Sequence, residues 1–291
     1  MRILNIGSLN IDHVYQVPHF AQPGESLSTT SYQRFAGGKG LNQSVAAARA
    51  GAAVRHTGCV GEDGLWLRKL LEAEGVNAEG VCKVAAPSGH AIIQVDLSGE
   101  NSIVVYAGAN REISMGQIHE AIFAMSPGDL LLLTNESANR ETCLRTGREH
   151  GLQILYNPSP ITPDMSGLPL DLVDLLICNR NEGSEITGRD EADAILEALA
   201  RKLPETEVVL TLGSEGCRYQ GKGEAFALPA RPVSPVDTTG AGDTFLGYLA
   251  AGLAESLSRR DALELATAAA AVAVTRPGAA SAIPKRVEVR V

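Results

Sequence analysis

The sequence predicts an α/β fold: a mostly parallel sheet covered by helices on both faces, with a second, smaller β-sheet at its edge. Three observations lead there. From residue 114 onward, strand-length apolar runs alternate with helix-length segments, the rhythm of strand–helix units in a parallel sheet. Two earlier stretches, 13–35 and 90–106, are β-rich and break that rhythm, so they belong to a separate sheet. The length of 291 residues suits one large α/β domain carrying a small appendage.

Each element follows from its own residues. Ile3–Ile6 is a buried strand ending at Gly7-Ser8. Residues 13–35, HVYQVPHFAQPGESLSTTSYQRF, alternate loosely around Pro18 and Pro23-Gly24, as short strands do. An Ala-dense helix spans 41–50, opening right after GGKG; 54–60 is a strand, and 64–74 a helix stopped by Gly75. Residues 90–106 form a hairpin turning near 98–101. Helix 114–125 leads to strand 130–134, helix 139–150 to strand 152–156, and a loop to strand 174–178. Helix 190–202 leads to strand 207–212, and a hairpin covers 217–228. Two small-residue helices, 241–255 and 259–275, end at Pro277-Gly278. The whole chain, 1–291, reads as a single domain.

Bulk properties exclude several classes. The formal net charge of −9 argues against a general polyanion binder, so no nucleic acid partner is expected. No apolar run approaches the ~18 residues of a membrane span. MRILNIGSLNID has no basic stretch ahead of a cleavable apolar region and reads as a core strand, not a signal peptide. The cysteines, Cys59, Cys82, Cys143, Cys178 and Cys217, are odd in number and lack zinc spacing, as expected of reduced thiols in a cytoplasmic protein.

Six short motifs can carry chemistry, and each falls where a strand or hairpin ends. In open α/β sheets, ligands bind beyond the carboxyl ends of the strands. GGKGLN, 37–42, places glycines before a helix N-terminus, where backbone can approach an anion and Lys39 adds a cation; a plain glycine turn is the alternative. In SLNID, 8–12, Asn10 and Asp12 are two apart, so in extended chain they share a face and can hold a vicinal diol, or else close an Asx turn. Glu136 in TNES follows the apolar strand LLLLT and either meets a ligand or caps a helix. Asn179 and Glu182 in ICNRNEGSEITG suit Mg²⁺ through water, or equally a helix cap. TLGSEGC, 211–217, is a turn that can hold a ribose or phosphate, or a bare turn. In VDTTGAGDTF, 236–245, Gly240-Ala241-Gly242 can present N–H groups to a developing phosphate charge while Asp243 takes a proton. GGKGLN is not a Walker A loop, and no GxGxxG follows a strand.

VDTTGAGDTF and FAGGKGLNQSVAAARAG resemble the two signatures of the ribokinase-like (PfkB) carbohydrate kinases, in the right order and about 200 residues apart. The resemblance runs from NIGSLNID to AVTRPGA and is strongest with the ribokinase branch. It implies a Rossmann-like three-layer sandwich with a small β-lid, and transfer of phosphate from MgATP to a sugar's primary hydroxyl, ribose first. A 2-deoxyribose, nucleoside or fructose kinase is the alternative within the family, and a non-catalytic sugar-binding regulator the alternative outside it. By the same resemblance Asp243 is the catalytic base, and Gly240, Ala241 and Gly242 form the anion hole. Asn10, Asp12, Gly38, Lys39, Asn42 and Glu136 match sugar-contacting positions. Thr211, Gly213 and Gly216 match the ATP turn, joined by Asn179, while Asn179 and Glu182 match the motif that tunes Mg²⁺. Asp237, Thr239, Ala273, Arg276 and Gly278 resemble a monovalent-cation site for K⁺, and the lid implies a homodimer contact. Two departures stand out: Ala282 falls where ribokinases often have a serine, with Ser281 one step earlier, and Thr134 stands where a Gln is common.

Overall fold

Leu130 and Leu132 pack into one hydrophobic core, Leu131 and Leu133 into a second. Successive side chains on a strand point to opposite faces, so a run that is apolar at every position belongs to a sheet covered on both sides. The computed structural model describes residues 1–162, 165 and 167–291. In chain order its strands are β1 (Ile3–Ile6), β2 (Asn10–Gln16), β3 (Ser31–Gly37), β4 (Val54–Val60), β5 (Asn77–Lys83), β6 (Gly89–Val95), β7 (Asn101–Tyr106), β8 (Leu130–Thr134), β9 (Gln153–Asn157), β10 (Leu175–Asn179), β11 (Glu207–Thr211), β12 (Cys217–Gly221) and β13 (Glu224–Leu228). The α-helices are α1 (Lys39–Arg49), α2 (Leu65–Ala73), α3 (Met115–Phe123), α4 (Arg140–Glu149), α5 (Arg180–Thr187), α6 (Ala192–Lys202), α7 (Ala241–Ala254) and α8 (Arg259–Ala273).

Nine strands form the main sheet, in the order β13-β12-β11-β10-β9-β8-β1-β4-β5. Every pairing from β5 across to β11 is parallel, and β12 and β13 extend that edge as antiparallel strands. One face is covered by α1, α2, α7 and α8, the other by α3, α4 and α6. The result is a three-layer sandwich, as the sequence predicts. Strand order runs outward in both directions from the β1/β8 pair, so the sheet has its topological switch point there.

A second sheet, in the order β3-β2-β6-β7, uses the two β-rich stretches set apart in the sequence. It is antiparallel except for the β2–β6 pair. The chain passes from β1 into β2 through only Gly7-Ser8-Leu9, so the small sheet grows directly out of the switch point. This changes one expectation: Asn10 and Asp12 are not a terminus of the core strand but the first residues of β2.

One element, β5, goes beyond the sequence reading, and another, α5, enters it only as the helix that Asn179 and Glu182 would cap. β5 is a short edge strand with only Ala78 and Val81 buried beside Gly80. α5 is a polar eight-residue helix whose Gly183 lies against Ile195. Neither carries enough apolar periodicity to stand out. On the covered face, α1 and α7 approach unusually closely: a Cβ on Gly247 would sit 2.4 Å from the Ala46 Cβ and 2.6 Å from the Gln43 carbonyl. That approach brings the N-terminal turns of the two helices together.

Candidate active site

Asp243 lies in the first turn of α7, and only 8% of it is exposed. Its two oxygens each accept one amide N–H: Oδ2 from Asn42 Nδ2 at 3.0 Å and Oδ1 from Gln43 Nε2 at 3.0 Å. Both amides stand on α1. Burial raises the Asp243 pKa above the ordinary carboxylate range, Lys39 and the two amides pull against that, and Glu136 adds to it. The amide oxygens, Asn42 Oδ1 and Gln43 Oε1, are buried with no hydrogen-bond partner among the described residues.

The start of α7 explains the glycines of its loop. Gly240 is the N-cap with φ of +73°, a left-handed conformation that costs glycine little. The Ala241 N–H closes a turn onto the Thr238 carbonyl at 3.2 Å, and the Thr244 N–H is bonded to the Gly240 carbonyl at 2.8 Å. Between them, the N–H groups of Gly242 and Asp243 lie in the first helical turn, where the helix has no preceding carbonyl to offer. Gly242 is exposed, and a Cβ there would meet nothing within 4 Å. An open, N–H-rich helix end beside a buried carboxylate can hold an anion while the carboxylate takes a proton.

Glu136 follows β8 and reaches across the switch point. Its Oε2 accepts the Lys39 N–H at 3.1 Å and the Ser8 hydroxyl; that hydroxyl in turn accepts the Gly40 N–H at 3.2 Å. Glu136 therefore sits at the N-terminus of α1, where negative charge is favoured, rather than capping the helix that follows it, whose N-cap is Asn139. Burial opposes the charge on Lys39, but the carboxylates of Asp243, Glu136 and Glu182 outweigh it and hold the pKa above the usual lysine value. Gly38, at φ +92°, brings the backbone so close that a Cβ would lie 2.9 Å from the Asn10 nitrogen.

Asn10 and Asp12 share a face of β2, as their spacing predicts. A Cβ on Gly37 would lie 2.1 Å from an Asp12 oxygen, so the glycine makes room for the carboxylate. Burial, then the charges of Glu136 and Asp243, push the Asp12 pKa up to about 6. A cavity of about 650 Å³ opens on the Asn10 and Glu136 side of the site, lined by these two and Asn110 among others; Asp12, Lys39 and Asp243 are not part of its lining. Thr134 does not face it as a ligand would. Fully buried, its hydroxyl accepts the Glu136 N–H at 3.3 Å and so supports that residue from below.

The far strands of the same edge hold the third group. Asn179 and Thr211 are register partners at the ends of β10 and β11. Asn179 and Glu182 form a reciprocal capping box at α5: the Glu182 N–H donates to Asn179 Oδ1 and the Asn179 N–H to Glu182 Oε2, both at 2.9 Å. Glu182 Oε1 takes no part in it. Gly213 is exposed with open space at its Cβ position, whereas Gly216 is buried and a Cβ would lie 2.0 Å from the Leu228 carbonyl. Asp237 ties two loops together, accepting the Thr239 N–H at 2.9 Å and the Gly278 N–H at 2.8 Å. Burial raises its pKa, and these bonds more than reverse that. Arg276 N–H donates to the Ala273 carbonyl at 3.1 Å, which completes the turn beneath. The Ser281 hydroxyl lies 3.3 Å from the Pro277 carbonyl and beside Gly278, while Ala282 is buried.

Three participants escape the sequence reading: Gln43, Ser8 and Asn110. Gln43 had a local signal, since it adjoins Asn42 in the loop-helix motif. Ser8 lies within SLNID but acts on Glu136 across 128 positions, and Asn110, in none of the six motifs, acts on Asn10 across 100.

The pfkB family carbohydrate kinase model matches residues 2–286. A ribokinase of Haemophilus influenzae is 36% identical over 292 residues, covering 97% of this chain and 95% of its own. The ribokinase structure from Thermotoga maritima superposes with a TM-score of 0.86 at 33% identity, covering 99% of this chain and 97% of that one. The Arabidopsis thaliana ribokinase complexed with ribose and ATP gives a TM-score of 0.86 at 29% identity, covering 98% and 96%.

Proposed function

The chain belongs to the pfkB family of carbohydrate kinases, and from that premise we propose that it transfers the γ-phosphoryl group of ATP to the primary hydroxyl of D-ribose, giving ADP and ribose 5-phosphate. The observation that carries this reading is Asp243, a buried carboxylate fixed by two amides at the open end of α7. The hydroxyl oxygen forms a bond to the γ-phosphorus and its proton passes to Asp243. The bond from that phosphorus to the β–γ bridging oxygen breaks, and ADP departs. The Gly240-Ala241-Gly242 turn stabilises the charge on the transferred group through the N–H groups it leaves open, those of Gly242 and Asp243, since the Ala241 N–H already closes a turn onto Thr238, and Lys39 adds its cation.

Asn10, Asp12, Gly38, Lys39, Asn42 and Glu136 hold the sugar. The buried, unpartnered Asn42 Oδ1 supports this, because it can accept from a sugar hydroxyl. Asn179, Thr211, Gly213 and Gly216 take the nucleotide, whose phosphates then reach back toward α7.

Mg²⁺ is the expected companion of ATP. It usually keeps several waters and leans on substrate phosphates with one or two carboxylates. Glu182 fits that habit, with one oxygen in the capping box and the other available to a metal-bound water, next to Asn179. When bound, the ion neutralises phosphate charge. For K⁺, the loop carbonyls around Thr239, Ala273, Arg276 and Gly278, with the Asp237 carboxylate, make an oxygen-rich set. The Ser281 hydroxyl beside Gly278 adds to it despite the buried Ala282. The chain acts as a single domain and, through its small sheet, as a homodimer. Five free cysteines suit a reducing cytoplasm, and among the described residues no helix is long and apolar enough to cross a membrane.

The test is ATP-dependent ADP release with ribose, 2-deoxyribose, fructose, adenosine and fructose 6-phosphate, each with and without K⁺. Ribose is expected to give the highest kcat/KM. Preference for another acceptor overturns the substrate, and sugar-dependent thermal stabilisation with no turnover would favour a binding protein instead.

A further inference from the structure

The polarity of one buried amide pair determines what the sugar pocket offers. The Leu9 backbone N–H, which can only donate, lies 2.9 Å from Asn110 Oδ1. That bond fixes which end of the Asn110 amide is oxygen. Its Nδ2 is therefore at the other end, 2.7 Å from Asn10 Oδ1. Asn10 must in turn receive that bond on its oxygen, which leaves its own Nδ2 as the group it can present elsewhere. Both side chains are buried, and both line the cavity next to Glu136.

The small sheet holds the pair in place. Gly89 on β6 is the register partner of Asn10. A Cβ at Gly89 would lie 2.1 Å from Asn110 Nδ2 and 2.3 Å from Asn10 Oδ1, so bare backbone closes over the two amides. Asn110 itself sits in the helical turn Gly108–Arg111, just after β7. Both antiparallel strands β6 and β7 thus bear on the orientation of one side chain of β2.

We propose that Asn110 is a positioning residue which sets the amide of Asn10 so that the pocket presents one donor beside the Asp12 acceptor, a pattern complementary to a vicinal diol. This rests on the assignment of Asn10 and Asp12 to the sugar. In this arrangement the 2-hydroxyl of the sugar accepts from the Asn10 amide while its neighbour donates to the carboxylate. An acceptor lacking one of the two hydroxyls leaves a pocket group unpaired, and such a site rejects it.

Asn110→Asp keeps the shape and removes the donor. Its carboxylate can still accept the Leu9 N–H, but its second oxygen then demands a donor from Asn10. Asn10 turns its Nδ2 inward, and its oxygen faces the pocket beside Asp12. The expected result is a fall in kcat/KM for ribose of about ten-fold or more, a much smaller fall for 2-deoxyribose, and an unchanged KM for ATP. Asn110→Ala, which frees Asn10 to take either orientation, should shift the ratio in the same direction and less far. An equal loss for both pentoses, or an unchanged ratio, overturns the proposal; if the Asp variant does not fold, the Ala variant decides by the same ratio. The side-chain amide resonances of Asn10 provide a readout that needs no sugar. In Asn110→Asp its NH₂ protons should move downfield as they bond a carboxylate, and unchanged resonances overturn the role of Asn110 whichever acceptor the enzyme uses. Failure of the wild type to phosphorylate ribose would instead count against the acceptor assignment alone.

Discussion

Asp12 is a side chain of the site that responds to pH in the range where the enzyme can be assayed. Burial and two neighbouring carboxylates set its pKa at about 6. Below that value it carries a proton and loses most of its capacity to accept from sugar hydroxyls, so kcat/KM for the sugar should fall as pH drops through about 6 while KM for ATP holds. For stability the sign is opposite. A carboxyl whose folded pKa is raised favours the fold fully below its unfolded value of 3.8 and loses that contribution as pH rises through about 6. Asp12→Asn is therefore expected to be at least as thermally stable as the wild type at pH 7.5 while binding sugar poorly. A flat sugar profile between pH 5 and pH 7 would contradict the role given to Asp12. This residue was legible in the sequence because Asn10 and Asp12 lie two apart, a spacing that settles a shared face before any fold is known. Ser8 and Asn110 were not legible as participants, since their side chains act through partners far away in sequence: Glu136 is 128 positions from Ser8, and Asn10 is 100 positions from Asn110.

At the scale of elements, the site depends on how α1 meets α7. α1 carries Lys39, Asn42 and Gln43, and α7 carries Asp243, so their separation sets the amide–carboxylate distances. Gly247 permits that separation, four residues after Asp243 and one helical turn along. A methyl group there would overlap Ala46 and the Gln43 carbonyl, and the helices would have to move apart. Gly247→Ala is expected to cost about 1–3 kcal/mol in denaturant unfolding and to lower kcat as well. An unchanged midpoint together with unchanged kcat would show that the approach is not needed. Most elements were readable because strand runs such as LLLLT and Ala-rich helices carry strong periodicity. β5 was missed, and α5 was read only through its cap, for the converse reason: their glycines and polar residues leave too few apolar positions to repeat. The start of β2 was misplaced because Gly7-Ser8-Leu9 reads as a strand end, yet here it is a hinge between two sheets.

The whole molecule combines a charge problem with a surface problem. On the reading proposed, a chain of net charge −9 has to bind a polyanionic nucleotide through local features, a lysine and helix N-termini, rather than through its overall field. The surface problem lies on the small sheet. Ile103, Val104, Val105 and Tyr106 are all more than half exposed along β7, and Tyr32 stacks on both His13 and Tyr15 at the other edge. Alternating along the strand, the β7 residues leave apolar surface on both faces of an edge strand, which fits a strand that is covered in an assembly. Sedimentation equilibrium is expected to give twice 30.5 kDa, and a monomer at micromolar concentration would contradict assembly through this sheet. The two-sheet architecture was legible from the break in strand–helix rhythm; the exposure of β7 was not, because its apolar residues read equally well as buried.

The central claim is that Asp243 removes the proton from the sugar hydroxyl. Its most direct test is ribose-dependent ADP release by Asp243→Asn, with ribose binding followed in parallel by calorimetry. The substitution preserves size and keeps one oxygen to accept from Asn42, while its NH₂ faces Gln43, whose buried, unpartnered Oε1 can turn to accept it, so the fold and ribose affinity should survive. Turnover should fall by about 10²–10⁴-fold. Turnover within a few-fold of the wild type, with binding intact, would contradict the account.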